Sequence, residues 1–319
     1  MNFFVSIAGL NPMTLLKVLP GNIAQGLIWG VMALGVFMTY KILDFADLTV
    51  DGSFATGGAV AVMLTLRGVP CGAALAAAVL AGGLTGLVTA LLHTKLGIPG
   101  ILSSILTQIA LYSVNLNILG KANQAVSVDK FMLIISSRYP TPAIITGFVF
   151  AAVVVFVLYW FFGTEIGCAI RATGCGESMA KAQGISTDSM KILTLVISNA
   201  LVGMSGALSA QYQGFADINM GRGAIVIGLA AVIIGDVLFH TLFRRHGNFA
   251  VRMFFVVIGS ILYYIAMGVV IWLKMPTNDM KLFTAVIVAV FLCVPYLKEK
   301  HRSSFSRAAK KAGETHAEA

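Results

Sequence analysis

Charge is scarce in this chain. Asp, Glu, Lys and Arg make up 11% of its 319 residues, where a soluble domain carries about 25%. With 58% hydrophobic residues and a mean hydropathy of +0.90, the composition excludes a soluble enzyme, a nucleic-acid binder and a disordered chain. Proline is also rare, 8 residues against 33 glycines, so this is no low-complexity sequence. The four cysteines, Cys71, Cys168, Cys175 and Cys293, show no CxxC spacing and read as free thiols, with neither a disulfide frame nor a metal site. The five histidines lie mostly in polar stretches and lack ligand spacing. No GxxxxGK[ST] loop is present to hold ATP, and no HExxH or GxSxG pattern points to hydrolysis; Gly203-Met204-Ser205-Gly206-Ala207 departs at its last position. The N-terminus lacks the charged start and small-residue cleavage site of a removable signal peptide.

Long apolar runs fill the chain. A hydrocarbon core about 30 Å thick needs about 20 apolar residues per helix, and only helices or closed barrels satisfy their backbone in lipid. The runs are continuous rather than alternating, which argues for helices. The expected fold class is an all-α polytopic membrane protein with about nine transmembrane helices and an inverted internal repeat. The spans fall near 21–40, 48–66, 71–92, 101–119, 142–162, 190–211, 223–239, 250–273 and 281–297. Residues 1–19 read as an N-terminal interfacial segment, 20–297 as the transmembrane domain and 298–319 as a basic tail. Lys and Arg number 22 against 13 Asp and Glu. Basic residues collect on the cytosolic side of membrane proteins, so the tail and the polar stretch 163–189 are expected inside. Small residues recur within spans, as in Gly26-xxx-Gly30 and in Ala81-Gly82-Gly83-Leu84-Thr85-Gly86. They let helices approach closely, either inside one bundle or across a dimer face.

One motif occurs twice. Phe45-Ala46-Asp47-Leu48-Thr49 returns as Phe215-Ala216-Asp217-Ile218-Asn219, and at the same offset Gly58 meets Gly228. An odd number of spans separates the copies, so the halves, about 20–162 and 190–297, would lie in opposite orientation, as in many transporters. Asp44, Asp47 and Asp51 border the first copy. A carboxylate at membrane depth costs roughly 2.5–3.5 kcal/mol on insertion scales. The three therefore sit either in a boundary loop, with Asp51 or Ser53 as helix cap, or along a wet path where a helix is broken. Asp217, Asn219 and Arg222 pose the same choice at the second copy; Gln108, Asn115 and Asn117 either face that cavity or bond between helices.

The stretch 163–189 separates the halves. Glu177 and Lys181 form an i,i+4 pair of favourable polarity, and Gly184 can close a helix at C′. This predicts a short helix over 177–183, too short to stand alone in water. It needs a surface, supplied by a partner or by the protein's own bundle.

Ile42-Leu43-Asp44-Phe45-Ala46-Asp47-Leu48-Thr49-Val50-Asp51-Gly52-Ser53 resembles the early motif of permease subunits in the branched-chain amino-acid and ribose-type ABC importers. Ile166-Gly167-Cys168-Ala169-Ile170-Arg171-Ala172, on through Gly184-Ile185, resembles their cytosolic coupling segment. The likeness covers about residues 20–297, and the Asp-Leu-Thr-Val-Asp-Gly-Ser-Phe form looks most like a bacterial subgroup linked to amino-acid uptake, aromatic amino acids included. The resemblance implies a non-enzymatic, dimerising permease in the bacterial inner or plasma membrane. It implies two ATP-binding subunits, which would hold ATP and Mg, and an extracytoplasmic substrate-binding protein; this chain itself would carry no cofactor. It also implies that Arg171, Glu177, Ala180, Lys181 and Gly184 lie where the ATPase docks, and that Asp47, Thr49, Asp51, Ser53, Asp217 and Asn219 lie near the substrate path. Cys175-Gly176 departs from the polar pair expected in the coupling segment. Two other readings compete on the residues alone: a stand-alone ion-coupled transporter using Asp47 and Asp51 as ion ligands, and an intramembrane enzyme, for which no catalytic constellation is visible.

Overall fold

The computed structural model describes residues 12–127, 130–131, 133–242 and 248–272, together with 282, 285–286, 288–290 and 293. The backbone of 12–16 is described without its side chains. The chain divides into two units, Met1–Lys274 and Met275–Ala319. The expected ninth span and the basic tail fall in the second, mostly outside the described residues, and those described there are helical.

The first unit is a helical bundle. Helix α1, Pro12–Phe37, continues into a π-helical turn, Met38–Ile42. An irregular stretch, 43–48, leads to α2, Thr49–Leu66. Helices α3, Cys71–Thr94, and α4, Gly100–Leu119, follow Pro70 and Pro99; neither proline can extend a preceding helix. Strand β1, Asn123–Ala125, precedes α5, Pro140–Phe162. The stretch between the halves holds α6, Glu165–Cys175, and α7, Glu177–Ala182. Then come α8, Thr187–Gln213; β2, Phe215–Asp217, paired antiparallel with β1; α9, Ala224–Leu242; and α10, Phe249–Trp272.

Eight of these helices are long and apolar enough to cross a membrane; seven match an expected span to within a few residues, and the first starts earlier than expected. Residues 12–19, expected as an interfacial segment, run without a break into the first span; residues 1–11 lie outside the described residues. Helix α5 exposes Ile145, Phe156 and Trp160, an apolar surface suited to lipid rather than water.

Helix α8 is the central post. It runs antiparallel to α1: Ser198 donates to the Gly35 carbonyl, Ser205 to Ile28 and Tyr212 to Gly21. It runs parallel to α2, meeting it at Ser53–Asn199 and Gly57–Gly203. The packing repeats between the halves. Helix α3 rests on α8 as α10 rests on α1, and α2 packs on α3 as α9 packs on α10. The small residues serve these seams: Gly26 and Gly30 face α10, while Gly82 and Gly86 face α8. Their close approach is within the chain's own bundle.

Candidate functional site

The acidic residues of the first motif do not share one helix face. Asp44 is exposed in the left-handed region, φ 56°. Asp47 lies in the irregular stretch and is buried, and Asp51 is in the first turn of α2. The break comes before Asp51 and Ser53, so neither caps α2 as the sequence suggested. Asp47 serves instead: its Oδ1 accepts the Thr49 N–H at 2.9 Å, satisfying one of the free donors of the helix start. Its Oδ2 accepts Nδ2 of Asn199, in the middle of α8, at 2.7 Å. Ser53 donates to Oδ1 of Asn199 at 2.6 Å and meets Thr85 of α3, while the Thr49 and Thr89 hydroxyls lie 2.7 Å apart. Asp47, Thr49, Ser53, Thr89 and Asn199 are all buried. They pin the start of α2 to α3 and α8.

Asp51 turns the other way. Its Oδ2 accepts the Gly223 N–H and its Oδ1 the Ile225 N–H, both at 2.9 Å. Those donors open α9, where partial positive charge favours a carboxylate. The starts of the two helices that follow the repeated motif are thus tied together by one side chain. In the second copy Asp217 repeats the turn of Asp47, accepting the Asn219 N–H at 2.7 Å, with Asn123 Nδ2 at 3.4 Å from its other oxygen. Asp217 is half-buried and Asn219 exposed. Asn199 was not legible as a site residue, because an amide in an apolar run has many fates. Removing it by Asn199→Leu leaves the Asp47 carboxyl short of a buried donor. A loss of about 1–3 kcal/mol, read as a lowered thermal midpoint of the purified protein in detergent, is the expected result; an unchanged midpoint would contradict this pinning role.

The stretch between the halves folds as two helices. Thr164 caps α6 by accepting the Gly167 N–H. Thr164 followed by Glu165 is a helix-start signal present in the sequence itself. Arg171 donates to the Phe162 carbonyl and to Sγ of Cys168, and lies over the Phe249 ring. It therefore ties α6 to the ends of α5 and α10. Gly174 is seated against the end of α1: a Cβ there would lie 1.8 Å from the Ile42 carbonyl oxygen and 3.0 Å from the Leu43 Cα. Helix α7 ends as expected, with Gly184 at φ 80°; its N–H reaches the Lys181 carbonyl and that of Ile185 the Ala180 carbonyl.

The surface α7 needs is its own bundle. Ala180 is buried, and Glu177 accepts from Lys191 of α8 at 2.7 Å and from Lys181 at 2.9 Å. These ammonium groups, Lys191 foremost, pull the Glu177 carboxyl down to about 2. The other face of α7 is open: Met179 is 72% exposed, and Lys181 and Gly184 are exposed beside it. Near the same end, Asp236 of α9 binds Arg252 of α10 at 2.7 Å and Lys41 at 3.1 Å. This charge cluster was not foreseen, since its members lie far apart in sequence. Among the described residues no group of three His, Cys, Asp or Glu side chains is placed to hold a metal.

A bundle of membrane-crossing helices, two of them starting after a repeated irregular motif, with a helical projection tied to one end, is the build of a solute permease. The chain belongs to the permease component family of the branched-chain amino acid transport system, whose pattern matches residues 20–295, and it is a multi-pass membrane protein. It is 38% identical over 268 residues to a tyrosine transport system permease protein of Clostridioides difficile (strain R20291), covering 84% of this chain and 88% of that one. An uncharacterized protein of Rickettsia prowazekii (strain Madrid E) is 32% identical over 281 residues, 87% and 97% of the two chains. The ribose import permease protein RbsC of Escherichia coli (strain K12) is 27% identical over 213 residues, 64% of each. No solved structure matches at a significant level.

Proposed function

We propose that this chain is the membrane subunit of an ATP-driven importer for a small polar solute, an amino acid, working by alternating access in a bacterial inner or plasma membrane. ATP and Mg belong to separate ATP-binding subunits on the cytosolic side, an extracytoplasmic binding protein delivers the solute, and a second permease copy completes the path. The observation that carries this reading is the seat of Gly174 on Ile42 and Leu43. The projecting pair α6–α7 bears directly on the segment leading to the broken start of α2, so a push on α7 reaches that break through rigid contacts. Met179, Lys181 and Gly184 form the face offered to the ATPase. Arg171, Glu177 and Ala180 hold that face in place. Asp47, Thr49 and Ser53 anchor the first half beside the path, Asp51 links it to the second, and Asp217 and Asn219 border the path there. The family match to tyrosine, ribose and allose permeases supports transport; the amino-acid choice follows the tyrosine relative, which shares the most identity of these. An ion-coupled mechanism has no observation in its favour, because both oxygens of Asp47 and of Asp51 already accept internal hydrogen bonds.

Glu177→Arg tests the lever. It replaces the partner of two lysines by a like charge and is expected to uncouple uptake from ATP hydrolysis in the assembled transporter while leaving membrane insertion intact. Transport-linked hydrolysis at the wild-type rate would refute it. The pH dependence has a fixed sign. Glu177 titrates lower in the fold than its ordinary 4.5, so the tether is fully present above that value and weakens as pH falls toward about 2. Coupling is therefore indifferent to the titration of this group near neutrality.

A further inference from the structure

Arg222 carries a guanidinium that has no internal partner among the described residues. It sits in the turn before α9, between Gly221 and Gly223, and that turn is held by Asp51: the Gly223 N–H donates to Asp51, and a Cβ on Gly221 would strike the Asp51 carbonyl oxygen at 1.9 Å. The neighbouring residue of α2, Gly52, packs on Leu111 and Gln108 of α4. Gln108 is near the middle of Gly100–Leu119, so Arg222 lies at mid-span rather than at a membrane surface. Its side chain is exposed, and among the described residues no acid lies within ion-pair distance and no hydrogen bond engages its guanidinium. An arginine at that depth is costly against lipid and persists where it faces water or a ligand. It does face such a space: Gln108, Ile109, Tyr112, Ser113 and Arg222 line an open pocket of about 380 Å³, and all but Ile109 are polar.

We propose that Arg222, with Gln108, Tyr112 and Ser113, forms a mid-membrane site for the carboxylate end of the transported solute. The guanidinium fork matches a carboxylate in bidentate geometry. The Gln108 side-chain carbonyl and the Ser113 hydroxyl accept from an adjacent ammonium, and the Tyr112 ring, 43% exposed, gives an apolar side chain a surface to lie on. The site is thus suited to a zwitterionic amino acid and poorly suited to a neutral sugar. Asp51 acts here as a positioning residue, since it holds the turn that carries Arg222 and touches no solute. This inference rests on the importer reading above and adds the chemistry by which the membrane subunit itself recognises its cargo.

The test is uptake by the complete transporter, this chain with its own ATP-binding and solute-binding subunits, using labelled L-tyrosine, other amino acids and ribose as probes. Wild type is expected to take up an amino acid. Arg222→Gln is expected to lower that uptake about 10- to 100-fold, the range of a lost charge-assisted hydrogen bond, and Arg222→Lys is expected to fall between the two. Amino-acid uptake that is unchanged in Arg222→Gln would overturn the carboxylate site and leave the importer reading standing. Uptake of ribose and of no amino acid would overturn the amino-acid reading and this site with it. Should Arg222→Gln fail to assemble, Ser113→Cys in a cysteine-free background carries the test. Its labelling by a charged thiol reagent is expected to be slowed by the transported amino acid and not by the matching amine lacking a carboxylate; equal labelling with both would overturn the proposal.

Discussion

Gly57→Val is expected to abolish the folded bundle. A Cβ on Gly57 would lie 2.0 Å from the Gly203 carbonyl oxygen and 2.6 Å from its Cα. Those are backbone atoms, which cannot rotate away as a side chain can. Gly203 in turn is backed by Ala78, since its own Cβ would lie 2.7 Å from the Ala78 carbonyl oxygen. A Cβ on Gly206, nearby on α8, would lie 2.0 Å from the Phe54 oxygen. The seam between α2 and α8 is therefore backbone against backbone over about one turn. Parting it also breaks the Ser53–Asn199 hydrogen bond, one turn away, and with it the anchor of Asp47. The expected cost is about 3 kcal/mol or more, at or above the upper end of ordinary overpacking. Size-exclusion chromatography in detergent would show the monodisperse peak lost, while Gly72→Ala, where nothing lies within 4 Å, should elute and melt as wild type. A Gly57→Val protein that melts as wild type would show the seam to be looser than this packing requires.

The second large effect is functional rather than structural. Gly174→Leu is expected to leave the bundle inserted and assembled, because α6 lies outside the spans, and to lower uptake at least about tenfold, equivalent to about 1.4 kcal/mol. The leucine cannot share space with the Ile42 carbonyl, so α6 is pushed off the end of α1 and its movement no longer reaches the break before α2. ATP hydrolysis by the assembled transporter should continue without the matching uptake. Gly176→Ala is the control, since the nearest atom to its added carbon is Met179 Cβ at 3.8 Å. Equal uptake by Gly174→Leu and wild type would remove α6 from the coupling path.

The spans were legible because charge is so rare that most clusters of it mark an end; Lys17, which the first helix runs through, is an exception. The repeat was legible because Asp47 and Asp217 sit in the same local sequence; in space each accepts the N–H two residues on. The position of the cap was not. Gly52 and Ser53 look like a helix start, yet Asp47 already satisfies the donor of Thr49, so the helix begins a turn earlier and Ser53 is released to bond Asn199. The end of α7 could be read from Gly184, whose left-handed backbone is a local property. The partnership of Glu177 with Lys191 could not, since α8 intervenes only after the chain has turned back. Gly174 likewise carries no mark in sequence: the need for a bare Cα arises from a carbonyl more than a hundred residues earlier.

The proposed coupling requires α7 to be a contact for an ATP-driven partner. Its most exposed side chain, Met179, offers the direct measurement: a photo-crosslinking residue at that position in the full chain, expressed in cells with the native subunits. An adduct with an ATP-binding subunit, formed on the cytosolic side, is the predicted result. A crosslinker that reacts with lipid alone, or that is modified by an impermeant reagent from outside the cell, would contradict it.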